Sequence, residues 1–319
     1  MNAKYASAFA AALAAVIAGC ASDRSGAPLD LAPRFLAEVQ RSAPVAVAEV
    51  NRPIVGLVLG GGGLRAFAHV GVLRAIEEAG IKPAIVVGTS AGAVVGAAYA
   101  SGMTAAQIES AARSVRLSSL IDWTLNSQGL MRGDNLASWI DTVTRGVPIE
   151  KFPVRFGAVA TELDSEKAVL LDTGFPGRAV QASAAVPGIN VPVPYKNGRL
   201  IDGGIASLAP VRFAHAMGAD FVIAVDIYCQ APRADGLGAL SVMHRVMQAQ
   251  SCLIAAPEMA EADVLIAPTI TVSNMSAKDE QERAIQAGYD AARAALSQVI
   301  VKADGRQLRS THESSGEGA

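Results

Sequence analysis

The sequence predicts a three-layer α/β/α domain on a mostly parallel central sheet, and three observations carry that expectation. Short β-rich runs alternate with stretches of helical periodicity, the pattern of parallel strands joined by crossover helices. Alanine, glycine and valine are abundant while aromatics make up only 5% of the 319 residues, which suits helices packed closely on a sheet covered on both faces. With 51% of the chain hydrophobic, there is enough apolar material for one large core or two smaller ones.

Taken in order, Ile54 to Leu59 is the first β-rich run, and Arg65 to Ala79 follows with apolar residues at helical spacing and Gly80 as a stop. Ala84 to Val87 is the second run and Ala93 to Ala100 its helix. Further strands are expected at Phe156 to Ala160, Lys167 to Leu171, Arg199 to Ile201, Phe221 to Asp226 and Asp263 to Ile266, with a helix at Glu280 to Ser297. Leu117 to Arg145, with Trp123 and Trp139, is read as a cap over a cleft, although tryptophans so spaced are more often core. The domain is placed at residues 54–303.

The ends read differently. Lys4 gives a short positive region, Tyr5 to Ala18 is apolar and Ile17-Ala18-Gly19-Cys20 follows, which marks residues 1–19 as a secretory signal too short to span a bilayer comfortably. Small residues before a cysteine resemble the bacterial lipobox, so Cys20 is the expected lipidated N-terminus, and Ala21 after it points to the outer membrane. The alternative is an ordinary cleaved signal with an incidental cysteine. Residues 20–53 carry Pro28, Pro33, Pro44 and Pro53 and read as a flexible tether; the amphipathic piece at Phe35 to Val39 leaves open an extra helix packed on the domain. Residues 304–319 read as a disordered tail.

With 27 basic and 29 acidic residues the chain offers no field for a polyanion, so nucleic acid is not an expected partner. Chemistry is expected elsewhere. Gly88-Thr89-Ser90-Ala91-Gly92 sets a serine between two glycines where a strand meets a helix, as in a nucleophile elbow, where strained backbone and approaching substrate leave room only for small neighbours. A glycine pattern kept for tight strand-helix packing is the plainer alternative. Gly60-Gly61-Gly62-Gly63-Leu64-Arg65-Ala66 follows the first strand, and such a loop opening a helix binds an anion or stabilises an oxyanion. Gly61-x-Gly63-x-x-Ala66 also fits the dinucleotide fingerprint, but the acidic residue expected about 20 positions on is replaced by Gly88, Thr89 and Ser90. Ile201-Asp202-Gly203-Gly204 ends a third run in an aspartate. Alone it is a turn, but all three motifs fall at the C-terminal ends of expected strands, where open α/β sheets place their sites.

From Ile54 to His215 the chain resembles the patatin-like phospholipase family. It shares Gly61-Gly62-Gly63-Leu64-Arg65, Gly88-Thr89-Ser90-Ala91-Gly92 and Asp202-Gly203-Gly204 in the family order, with Val159-Ala160-Thr161-Glu162-Leu163 and Ala182-Ser183-Ala184-Ala185-Val186-Pro187 between them. The resemblance implies a lipid acyl hydrolase in which Ser90 is the nucleophile, Asp202 its proton acceptor, and the amides of Gly62, Gly63 and Leu64 the oxyanion hole. It implies a membrane lipid or other acyl ester as substrate and no cofactor. The family has glycine after the arginine where Ala66 stands here; its methyl either crowds the loop or continues the helix. A binding protein on the same fold that has lost catalysis, or a serine peptidase or acyltransferase, are the alternative classes.

None of His69, His215, His244 and His312 is expected to act in catalysis, His69 being assigned to helix-sheet packing. No metal is expected, since the cysteines lack paired spacing and the histidines do not recur at i, i+4. Cys229 and Cys252 are left as either a disulfide or isolated buried thiols.

Overall fold

A computed structural model describes residues 29–42, 53–232, 238–274 and 276–313. The expected signal, Cys20 and the final residues 314–319 lie outside the described residues.

The chain opens with β1 (Arg34–Phe35) and α1 (Leu36–Ser42), then β2 (Val55–Leu59), α2 (Phe67–Glu78), β3 (Ile85–Thr89) and α3 (Ala91–Ala100). Next come α4 (Ala105–Ser114), a small hairpin of β4 (Trp123–Asn126) and β5 (Gly129–Met131), and α5 (Asp134–Val143). The sheet resumes with β6 (Arg155–Glu162) and β7 (Lys167–Leu171), followed by α6 (Pro176–Ser183), β8 (Val193–Tyr195), β9 (Gly198–Asp202), α7 (Val211–Ala216) and β10 (Phe221–Val225). The described chain closes with α8 (Ala239–Met259), β11 (Val264–Ile266) and α9 (Lys278–Glu313).

The central strands β11, β10, β2, β3 and β6 are parallel neighbours in that order, and β7 and β9 run antiparallel against β6. Strands β3 and β10, IVVGT and FVIAV, are buried throughout, as continuous apolar runs must be when helices cover both faces. One face packs α2, α3 and α9 through residues such as Leu73, Ile76, Ala97 and Ile285; the other packs Val39, Phe213, Ala255 and Met259 from α1, α7 and α8. The three-layer expectation therefore holds. Two glycine contacts set the closeness of the first layer. A β-carbon on Gly71 would lie 1.9 Å from the carbonyl oxygen of Ile285, and one on Gly288 would lie 2.0 Å from that of Ala68, so α2 and α9 cross with backbones touching.

Two boundaries are corrected. Residues 29–42 are part of the fold, not tether: Arg34 and Phe35 pair with Leu170 and Val169 of β7, Arg34 forms an ion pair with Asp172, and Val39 is buried. The edge of β7 would otherwise carry unpaired peptide groups, and the short amphipathic piece satisfies them while burying its apolar side. The last helix runs through 304–313, so that stretch is helical rather than tail. Helices α4 to α8, unmarked among the strong periodic segments, fill the intervals. Helix α4 carries a capping box, with the Thr104 hydroxyl accepting from Gln107 N–H and the Gln107 side chain accepting from Thr104 N–H.

Candidate active site

Strand β6 brings the site together. Its first half pairs with β3 up to Thr89↔Val159, and its second half pairs with β9 from Ala160↔Asp202. The C-terminal ends of β3 and β9 therefore meet along one edge of β6, and the residue after Thr89 arrives beside Asp202.

That residue, Ser90, sits between strand and helix with φ 52° and ψ −118°, one of three described non-glycine residues with positive φ. Such backbone costs of order 1–3 kcal/mol and persists only where its surroundings over-determine it. The surroundings are visible. A β-carbon on Gly88 would lie 2.4 Å from the carbonyl oxygen of Gly92, and one on Gly92 would lie 1.9 Å from that of Leu59. Ser90 N–H donates to Ser183 Oγ (2.9 Å), Ser183 Oγ donates to the Val159 carbonyl (2.6 Å), and Thr89 Oγ1 donates to the Ser207 carbonyl (2.9 Å). The carbonyl of Ser90 accepts from Ala93 and Val94, which starts α3 at the serine.

Asp202 is buried, 7% exposed, with the Ser90 hydroxyl beside its carboxyl. Burial pushes its carboxyl up to about 6, and the nearby Ser90 hydroxyl and the bond from Gly204 N–H (2.7 Å) oppose the rise. Its own N–H donates to the Ala185 carbonyl (2.9 Å) and its carbonyl accepts from Thr161 Oγ1 (3.0 Å). Gly203 is forced by close approach, since a β-carbon there would lie 2.1 Å from the Val159 carbonyl oxygen.

The glycine loop lies against the elbow: a β-carbon on Gly61 would lie 3.5 Å from that of Ser90. Gly60 and Gly61 spend their N–H groups on the carbonyls of Val225 and Leu208, whereas Gly62, Gly63 and Leu64 make no backbone hydrogen bond through N–H among the described residues. Gly63 has φ 55°, and a β-carbon on Gly62 would come within 2.6 Å of the Ile227 side chain. The Arg65 guanidinium lies over the Tyr228 ring, 5.6 Å from its centre, and burial lowers its pKa. Ala66 continues the chain into α2 in right-handed helical geometry and lines the cavity.

Ser90 opens on an apolar cavity of about 470 Å³. Its walls include Gly63 and Leu64 from the loop, Val94 and Ala98 from α3, Ile108 from α4, and Met131, Leu136 and Trp139 from the segment expected as a cap. That segment therefore covers the site, with Trp139 in the wall, while Trp123 is neither core nor wall but 73% exposed. Among the described residues no group of three or more His, Cys, Asp or Glu could hold a metal ion. His69 is fully buried with Nε2 2.9 Å from the Gly60 carbonyl oxygen, and burial depresses its pKa to about 4; His215 Nδ1 is 3.0 Å from the Ala219 carbonyl oxygen. The side chains of His244 and His312 lie outside the described residues.

Sequence reasoning singled out Ser90 and Asp202 but gave no role to Thr89, Ser183 or Ser207. Ser183 carried a signal, its place in the Ala182 to Pro187 segment, which now proves to hold both partners through Ser183 and Ala185. Ser183→Ala is expected to lower stability by about 1–3 kcal/mol, the cost of a buried N–H and carbonyl left unpaired. It is also expected to lower kcat with KM little changed, because the elbow loses its brace; urea unfolding and steady-state kinetics check the pair.

Fold and site together define an α/β protein of the nucleophile-elbow type. The family model for "Patatin-like phospholipase" matches residues 57–215, and the chain belongs to that family. An uncharacterised NTE family protein of Mycobacterium bovis is 33% identical over 188 residues, 58% of this chain and 52% of that protein. The lysophospholipase NTE1 of Meyerozyma guilliermondii is 35% identical over 184 residues, 56% of this chain and 13% of that protein. The chain thus spans about half the length of the bacterial relative and a small part of the fungal one. The crystal structure of VipD from Legionella pneumophila superposes with a TM-score of 0.52 at 16% identity, over 88% of this chain and 72% of VipD, a likeness of fold.

Proposed function

We propose that the protein hydrolyses carboxylic esters of lipids by a Ser-Asp dyad, with Ser90 as nucleophile and Asp202 as its base. One observation carries the reading: a serine held at positive φ sets its hydroxyl beside a buried aspartate at the wall of a large apolar cavity. In the first step the Ser90 hydroxyl attacks the ester carbonyl, its proton passes to Asp202, and the alcohol leaves as that proton is returned. Water then attacks the acyl-enzyme with Asp202 again taking the proton, and the fatty acid is released. The N–H groups of Gly62, Gly63 and Leu64 are proposed to face the carbonyl oxygen as it gains charge; each such donor is worth about 10² to 10³ in rate. The cavity fits an acyl chain because its walls offer aliphatic and aromatic side chains and few polar groups.

We also propose that the protein is exported and anchored at the outer membrane through Cys20. The support is the N-terminal pattern of residues 1–21 and a disulfide between Cys229 and Cys252, a bond that persists in oxidising compartments. No helix among the described residues is long and apolar enough to cross a membrane.

The test is labelling with a fluorophosphonate and release of fatty acid from phospholipid, lysophospholipid, acylglycerol and p-nitrophenyl esters. An adduct lost in Ser90→Ala supports the reading; folded protein that neither labels nor turns over any of these esters overturns it. The pH profile adds a second check. Asp202 accepts a proton only when ionised, so kcat/KM is expected to be level above its pKa of about 6 and to fall tenfold for each pH unit below it. A profile with its acid limb near 4 would show that burial does not raise the Asp202 carboxyl, and one with no acid limb between about 3 and 8 would remove Asp202 from the role of base.

A further inference from the structure

Five exposed apolar side chains, Leu64, Ile121, Trp123, Leu130 and Ile189, gather around the mouth of the cavity. Leu64 and Ile121 line its wall, Trp123 pairs across the hairpin with the lining residue Met131, and Leu130 and Met131 donate their N–H groups to the Ile189 carbonyl (2.8 and 3.0 Å). The hairpin is not loose. The Asp122 carboxylate accepts from the N–H groups of Arg132 (3.0 Å), Gly133 (2.8 Å) and Asn135 (3.1 Å), and the Asn135 side chain donates to the Ser119 carbonyl (3.0 Å). A polar brace thus fixes an apolar tip in water, which an isolated soluble domain has no reason to maintain.

We infer that this rim is a membrane-docking surface, with Trp123 entering the interfacial region of a lipid bilayer. The choice of a bilayer rests on the lipid-ester reading: the rim is continuous with the apolar wall that leads to Ser90, so a lipid crossing it keeps its acyl chain out of water from membrane to cavity. Tryptophan suits that depth, with an apolar body and an N–H for the headgroup layer. Charge is not the attraction. Arg132 lies 3.3 Å from Asp134, and Asp134 also pairs with Arg178 at 2.7 Å, so the ionic groups beside the hairpin answer one another. Docking is therefore by apolar burial, and zwitterionic lipid suffices.

Trp123 and Trp139 are the two tryptophans of the sequence, so Trp139→Phe leaves Trp123 as the sole reporter. With the full chain, phosphatidylcholine vesicles are expected to shift its emission to the blue, and brominated acyl chains to quench it. This readout follows the hairpin itself, whatever the N-terminal segment does. Emission unchanged by vesicles, or a shift that requires anionic lipid, overturns the inference. In the otherwise unaltered chain, Trp123→Ser with Leu130→Ser is expected to lower turnover of vesicle phospholipid at least about tenfold, from the apolar area lost to the interface, and to leave a soluble short-chain p-nitrophenyl ester within about twofold. Equal loss on both substrates would make the patch structural and overturn docking. If the native chain hydrolyses neither, the hydrolase reading fails, while Trp123 quenching still decides whether the rim meets the bilayer.

Discussion

Asp202→Asn yields a protein that is more stable and nearly inert. The expected loss in kcat is about 10⁴-fold, the scale seen when the acid of a serine hydrolase is removed while geometry is kept. Geometry is kept here because an asparagine carbonyl still accepts from Gly204 N–H, as Asp202 Oδ1 does. The stability gain follows from linkage. Burial raises the folded-state pKa to about 6, whereas the unfolded chain titrates near 4. A raised carboxyl favours the folded state fully below the unfolded pKa, and that contribution is lost as pH rises through the folded one. At pH 8 the native protein therefore holds a desolvated charge with no cation beside it, and removing that charge is worth about 1–3 kcal/mol. Urea unfolding of both proteins at pH 8 and pH 4 checks the sign: the asparagine variant gains at pH 8, and the gain vanishes at pH 4. A variant less stable at pH 8, or one that keeps more than about a hundredth of wild-type turnover, contradicts the assignment of base and buried charge together.

Gly92→Ala is expected to be the most damaging single methyl in the domain. The added β-carbon would lie 1.9 Å from the carbonyl oxygen of Leu59, 2.4 Å from its carbon and 2.8 Å from the carbonyl oxygen of Gly60. All three are backbone atoms, so no side chain can swing away. Relief requires moving α3 off β2, which separates the serine elbow from the glycine loop. The expected cost exceeds about 3 kcal/mol, above the ordinary range for overpacking because rigid peptide groups oppose it. Turnover by the remaining folded protein should also fall, since Ser90 and the loop shift relative to one another. Thermal unfolding and active-site titration measure the two effects separately; a variant that unfolds within a degree of wild type would show that α3 can lift freely.

Much of this arrangement was legible in the residues. The β-rich runs at Ile54, Ala84, Phe156, Lys167, Arg199, Phe221 and Asp263 all became strands within a few residues of their expected bounds, because continuous apolar runs bounded by polar turns have few other ways to bury themselves. Ser90 and Asp202 were legible as motifs, and the structure brings them together. What the sequence could not display was how β6 joins them, since register is a property of pairing and not of composition. Ser207 was silent, and Thr89 and Ser183 stood in quoted motifs without showing what they hold. Small hydroxyl residues are common, and only their distances reveal a brace. The segment at 29–42 was misread because Pro28, Pro33, Pro44 and Pro53 punctuate the stretch around it and its amphipathic piece is short; the free edge of β7 decided the outcome. The cap at Leu117 to Arg145 was legible as a segment, but the helices that build the cavity wall were not. Short amphipathic helices such as α4 and α5 acquire their strength from the cavity they cover, which no local pattern announces.

The register of β6 also bears on how such a protein can diversify. Ser90 and Asp202 are fixed by the pairs Thr89↔Val159 and Ala160↔Asp202 on one shared strand. The cavity walls at Ile108, Met131, Leu136 and Trp139 come instead from the excursion between β3 and β6. The Ser90–Asp202 pair and much of the cavity wall thereby lie on separate stretches of chain. Insertions, deletions or exchanges within residues 103–148 can reshape the chamber while Ser90 and Asp202 stay in place, which makes that excursion the natural target for altering what the cavity admits.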